Sequence, residues 1–129
     1  MSQLLELSAG ILDGTTDPDG TGPVNRINFQ LSSITDRVAL VEAFSHCVLF
    51  ETDDGLLGFD TSSVQGGERV VSAIRNWRQA PFHTLVYTHG HLDHVGGCGA
   101  FMERQEHTVM PGQRSSVMRT LNRAWTATT

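Results

Sequence analysis

The stretch Thr88-His89-Gly90-His91-Leu92-Asp93-His94-Val95-Gly96-Gly97 decides how this chain of 129 residues is read. It gathers three histidines and one aspartate in the spacing H-x-H-x-D-H. Neutral imidazole and carboxylate are preferred ligands of zinc and related divalent ions. Four such donors within six residues cannot all turn toward one ion without strain, whereas two neighbouring ions can share them. His89 and His91 are two apart, so an extended segment puts them on one side, where they can grip one ion. Asp93 and His94 follow where the chain turns into a helix, and that change of direction aims them at a second. Such packing suits neither a core nor a solvated face. Gly96 and Gly97 lack side chains and leave room for close backbone packing beside the donors.

Working outward, Thr84-Leu85-Val86-Tyr87 reads as a short apolar strand that delivers the motif. Before it, residues 66–79 place Val70, Val71, Ile74 and Trp77 on one helical face, and Pro81 stops that helix. Strand, helix, strand is the order of a βαβ unit, which gathers its ligands at the strands' carboxyl ends. A further helix is expected from His94 or Val95 to Glu106. On the other side, residues 37–44 and 46–52 read as strands, Asp53-Asp54-Gly55 as a tight turn of the Asp-Gly kind, and residues 56–59 as a returning strand. Residues 2–12 suit a short helix or an extended arm. Residues 13–23 are a Gly/Pro/Asp-rich loop, so the globular part is expected from about residue 24.

The motif resembles that of the metallo-β-lactamase superfamily. In that family a strand ends in T-H-x-H-x-D-H, the next helix opens with a Gly-Gly pair, and an upstream strand ends in Asp-Thr. Thr88 to His94, Gly96-Gly97 and Phe59-Asp60-Thr61 match these elements, and the likeness covers residues 36 to 103. The resemblance implies a fold at the α/β to α+β border: a mixed sheet with flanking helices, the first half of an αββα sandwich. It also implies two zinc ions, or other divalent metals, with His89 and His91 on the first ion and Asp93 and His94 on the second. A water between two such ions loses a proton near neutral pH. Asp93 would orient it for catalysis, and Asp60 would support a ligating histidine or pin the loop. The bland alternative for Asp60 is a cap or turn acid. Where the family commonly has glycine after Asp-Thr, this chain has Ser62-Ser63.

Within the superfamily, Val38 to Phe44, Phe59 to Ser63 and Tyr87 to Cys98 look most like the alkyl-sulfatase-related branch. That implies a small-molecule ester-type substrate, a sulfate ester with an aliphatic tail. Thioesterases of the glyoxalase-II type and β-lactamases share the motif. The complete family site draws another histidine, a bridging carboxylate and a last histidine from further along. Beyond His94 this chain has only His107, and beyond Glu106 it has no Asp or Glu.

Three parts are therefore expected: an arm and linker over 1–23, the first half of the family domain over 24–107, and an atypical Arg/Ser/Thr-rich tail over 108–129. In the tail, Val117, Leu121 and Trp125 recur at helical spacing. A frame change or a cut gene soon after the metal loop would account for that tail. Half a sandwich leaves an apolar sheet face open to self-association and an open, weakened metal site. The competing expectation is thus a catalytically inactive fragment that binds metal or a partner.

Composition narrows the remaining classes. Hydrophobic residues make up 39% and charged residues 18%, which suits a globular domain. A net charge of −5 with no lysine disfavours a nucleic-acid partner. No stretch reaches the roughly 20 apolar residues of a membrane span. Met1 to Leu12 lacks the cationic start of a secretory signal, so a cytoplasmic location is expected. Cys47 and Cys98 are too few for a disulfide framework and read as small apolar residues, with Cys98 near enough in sequence to approach the metals. His46 sits at a strand start that can border the cleft. His83 and His107 are most simply surface residues, and Trp77 belongs to the core.

Overall fold

A computed structural model describes residues 3–17 and 26–106. Its elements are α1 (Gln3–Leu12), β1 (Leu31–Thr35), β2 (Val38–Val41), β3 (Cys47–Thr52), β4 (Gly55–Phe59), α2 (Gly67–Trp77), β5 (Phe82–Val86), α3 (Leu92–Val95) and α4 (Cys98–Glu106). The five strands form one sheet in chain order, β1 to β4 antiparallel and β5 parallel to β4. That last pair is the expected βαβ unit, with α2 as its crossover. The atypical tail and His107 lie outside the described residues, as does most of the linker. Among the described residues no helix is long and apolar enough to cross a membrane.

Pairing of Thr35 with Val38 and of Thr52 with Gly55 leaves two-residue turns at Asp36-Arg37 and Asp53-Asp54. The second corrects the Asp-Gly reading, because Gly55 opens β4 instead of sitting at the turn's centre. Its φ of +127° and an ideal Cβ only 2.5 Å from the Pro81 carbonyl explain why glycine stands there. β2 also ends earlier than the apolar run suggested. At Glu42 the chain leaves the strand, and its buried carboxylate accepts hydrogen bonds from Arg26 (2.6 Å) and Asn28 (2.9 Å). That pairing ties the segment before β1 to the sheet.

The sheet has two unlike faces. Ala39, Val41, Cys47, Leu49, Leu56 and Phe82 are fully buried on one face, together with Val70, Val71 and Ile74 of α2 and Phe101 of α4. Burying such a side chain stabilises by about 1.5–3 kcal/mol, so this helix-covered side holds the core. Register places Leu40, Val48, Phe59 and Val86 in one row on the opposite face, and Val38, Phe50, Leu57 and Thr84 in the next. None of those eight residues is buried.

The helix expected over 94–106 is broken. α3 is a single turn, and the chain restarts as α4 at Cys98. The cause is Gly97, where an ideal Cβ would lie 2.0 Å from the Thr61 carbonyl oxygen and 3.0 Å from the Gly67 Cα. Its backbone N–H also donates to the Ser62 carbonyl at 3.0 Å. The glycine therefore lets the loop rest directly on the start of α2 and on the end of β4. A Gly97→Ala variant should lose about 1–3 kcal/mol of stability in denaturant unfolding, as overpacked sites do. An unchanged unfolding midpoint would contradict the close backbone contact.

Candidate metal centre

Because β4 and β5 run parallel, their carboxyl ends lie side by side, and the backbone N–H of Asp60 donates to the Val86 carbonyl at 2.9 Å. Asp60 is 5% exposed, and its carboxylate serves three donors. Oδ1 accepts the Thr88 backbone N–H at 2.9 Å, while Oδ2 accepts the Thr88 hydroxyl at 2.7 Å and His94 Nδ1 at 2.8 Å. Burial pushes the Asp60 carboxyl upward, but the hydrogen bonds from His94 and Thr88 outweigh it and hold the group below its ordinary value. Thr61 is fully buried and grips the same histidine by its backbone: its N–H (2.8 Å) and hydroxyl (3.0 Å) both donate to the His94 carbonyl.

These contacts set which imidazole nitrogen faces the neighbouring donor. A carboxylate against His94 Nδ1 requires the proton there, leaving the lone pair on Nε2. Thr88 spends its hydroxyl proton on Asp60, so it accepts from His89 Nδ1 at 3.1 Å and turns His89 Nε2 toward His91. His89 Nε2 lies 3.1 Å from His91 Nδ1, and His94 Nε2 lies 3.3 Å from Asp93 Oδ2. Two ligands held at 2.0–2.1 Å in a tetrahedral zinc site are separated by about 3.3 Å. Each pair therefore has the spacing of one edge of a zinc coordination tetrahedron. The donor set fits the ion. Among the described residues, no group of three or more His, Cys, Asp or Glu converges in a metal-holding arrangement. The structure brings His89 against His91 and Asp93 against His94, and it also stacks the His89 ring on that of His94 with 3.9 Å between centroids.

Ser45 was not singled out from the sequence, yet it is buried and its Oγ lies 3.2 Å from His94 Nδ1. Serine before a strand carries no signal of its own, and attention fell on its neighbour. His46 instead turns Nδ1 to the backbone of Ala43, 3.0 Å from the carbonyl and 3.3 Å from the N–H. His83 is exposed beside Thr84, and Trp77 packs partly buried against the core. Cys47 is fully buried, and burial pushes its thiol well above the ordinary range. Cys98 lies beside Tyr87, whose hydroxyl is pushed up to about 12 by burial first and by that thiol second.

Ser62 occupies φ +65°, the left-handed region that the family's usual glycine would enter freely. It is fully buried, and its hydroxyl has no hydrogen-bond partner among the described residues. Asp60 shares the conformation at φ +59°, so the strand-to-loop transition holds two strained residues.

The chain belongs to the metallo-beta-lactamase superfamily, whose family profile matches residues 40–128. The described residues form part of a metallo-β-lactamase fold, the mixed sheet and helices matching about a third of each solved neighbour. A metallo-beta-lactamase of Cronobacter sakazakii superposes with TM-score 0.56 at 19% identity, covering 70% of this chain and 34% of that one. The MIM-2 metallo-beta-lactamase gives 0.54 at 20% identity, over 60% and 30% respectively. A linear primary-alkylsulfatase of Pseudomonas sp. is 34% identical over 59 residues, 45% of this chain and 11% of that protein. The 2,4-dinitroanisole O-demethylase subunit alpha of Nocardioides sp. is 29% identical over 85 residues, 60% of this chain and 26% of its own length. The chain thus spans about a tenth to a quarter of the curated relatives it matches. The family match also runs through the stretch that composition set apart as an atypical tail.

Two measurements check the strand-to-loop transition. Ser62→Gly should raise stability by about 1 kcal/mol, because it relieves the left-handed conformation and removes an unpartnered hydroxyl. Asp60 should make stability depend on pH. Its folded pKa lies below the ordinary 3.8, so its contribution is fully present above that value and fades as pH falls through the folded pKa. Asp60→Asn should flatten the acid limb of the metal-free protein's stability profile. An acid limb of unchanged slope would contradict the assignment.

Proposed function

We propose that this chain carries the first half of a metal-dependent hydrolase site. His89 and His91 would bind one zinc ion and Asp93 and His94 a second, and the substrate would be a small sulfate ester with an aliphatic tail. The observation that carries the proposal is the pair of donor edges at 3.1 and 3.3 Å, with lone pairs oriented by Asp60 and Thr88. Likeness to the linear primary-alkylsulfatase supports the substrate class. When bound, the ions would supply Lewis acidity and an activated water.

The chain's own residues supply placement. Asp60 holds His94 in the tautomer that presents Nε2 outward, and Thr88 does the same for His89. Asp93, half-exposed beside His94, is the carboxylate able to orient an incoming water and accept its proton. His89 and His91 are exposed and accessible to a ligand. The absence of lysine and the net charge of −5 support a small molecule over a nucleic acid. A cytoplasmic setting would keep Cys47 and Cys98 as the free thiols seen here.

A second reading, a metal-binding fragment without turnover, draws on the lack of a third donor at either pair among the described residues. One set of measurements separates them. Purified chain is assayed for zinc and for chelator-sensitive hydrolysis of alkyl sulfate, thioester, β-lactam and activated aryl methyl ether substrates. Turnover abolished by chelator supports the hydrolase, whereas bound zinc without turnover of any substrate leaves the inactive fragment. Asp60→Asn should weaken zinc binding by about 10- to 100-fold, as loss of a ligand-orienting partner does. His89→Ala should weaken it further, and unchanged affinity in that variant would remove the ligand assignment.

A further inference from the structure

We infer that the outer side of α2 carries a second binding site, for an elongated small molecule that ends in a single carboxylate. The site is separate from the histidine loop and needs no metal. An open groove of about 360 Å³ runs between α2 and the segment before β1, within the size range of small-molecule pockets. Ala73, partly buried against the core, forms its floor, and Asn28 and Phe29 form the wall facing α2.

That wall is both strained and tightly held. Phe29 sits at φ +60°, an outlier for so bulky a side chain. Its backbone N–H donates to the Glu42 carbonyl at 2.8 Å, and the Glu42 N–H donates to the Gln30 carbonyl at 3.0 Å. The Asn28 carboxamide is fixed at both ends, donating to the Glu42 carboxylate at 2.9 Å and accepting the Gln30 N–H at 2.8 Å. Strain maintained by surrounding bonds clusters at ligand clamps. Here it presents the Phe29 ring to the first turn of α2, where the Arg69 guanidinium rests 3.9 Å from the ring centre.

Arg69 supplies the recognition. A guanidinium resting on an aromatic face keeps its planar N–H fork for an oxyanion. Among the described residues no carboxylate pairs with it. The positive end of the α2 dipole favours negative charge at the same turn. Glu68 lines the groove too, and its carboxylate repels a second negative charge, so a monocarboxylate is preferred over a phosphate dianion. Ser72 and Asn76, both exposed, continue the stripe from Arg69 along one helix face. At 1.5 Å per residue they stand about 4.5 and 10.5 Å along the axis from Arg69. A ligand that meets all three is therefore about 10 Å long, with carbonyl or hydroxyl groups along its body. An N-acylated dipeptide has that form, since two extended residues and an acyl cap span about 10 Å.

NMR titration of the isotope-labelled full chain, kept metal-free with chelator, tests this with N-acetylglycylglycine. Expected are saturable shifts of the Phe29, Arg69, Ser72 and Asn76 amide signals. The methyl ester, which lacks the charge, should bind about tenfold more weakly or worse, as should inorganic phosphate. Arg69→Gln should lose at least about tenfold in affinity for the acid, with circular dichroism and zinc binding unchanged. Ser72→Asp, which sets a like charge beside the bound carboxylate, should weaken it as well. No saturable binding at millimolar acid overturns the site. Equal binding of acid and ester, full affinity in folded Arg69→Gln, or shifts confined to residues 88–97 overturn it too. Phosphate bound as tightly as the acid overturns the ligand class.

Discussion

The carboxylate of Asp60 is the constraint on which the centre depends. A charge so enclosed is costly unless its lone pairs are met, and here three donors meet them. Because two of those donors belong to Thr88 and one to His94, satisfying the carboxylate also sets the histidine loop. Direct contact assigns the proton on His94, and the Thr88 hydroxyl passes the same instruction to His89. Thr61 adds a grip on the His94 backbone from the adjacent residue. The end of β4 therefore determines the protonation, rotation and position of side chains that come roughly thirty residues later. Only parallel pairing of β4 with β5 brings those two strand ends together.

Much of this is legible in the sequence. The density of donor types in the histidine motif marks it as the candidate site, and the change of period after Asp60 marks the crossover that delivers it. Asp60 stood out through the likeness of Asp60-Thr61 to the family's Asp-Thr pair at a strand end. What stayed hidden depends on contacts between residues distant in sequence. Ser45 acquires its place beside His94 through folding alone, whereas its louder neighbour His46 satisfies itself on local backbone. The break between α3 and α4 follows from Gly97 meeting Gly67 and Thr61, which spacing does not reveal. Ser62 marked a departure from the family pattern in sequence, and the structure shows its physical form: a serine held in the left-handed conformation.

Family membership and the pairwise geometry answer different questions. Membership describes the architecture of which this chain is a part, about a third or less of each solved relative. The pairs describe what that part can do unaided. It orients donors well, because hydrogen bonds within one half lock the tautomers. Closing a coordination sphere needs ligands that the described residues do not provide.

The contact of Gly97 with Gly67 has a mechanical meaning. Backbone touching backbone, with no side chain between, transmits displacement with little compliance. The start of α2 and the histidine loop are consequently pressed together at that point, and a side chain on either glycine would drive them apart. A form that lifted α2 would leave the loop held only from the end of β4, by the hydrogen bonds of Asp60, Thr61 and Ser62.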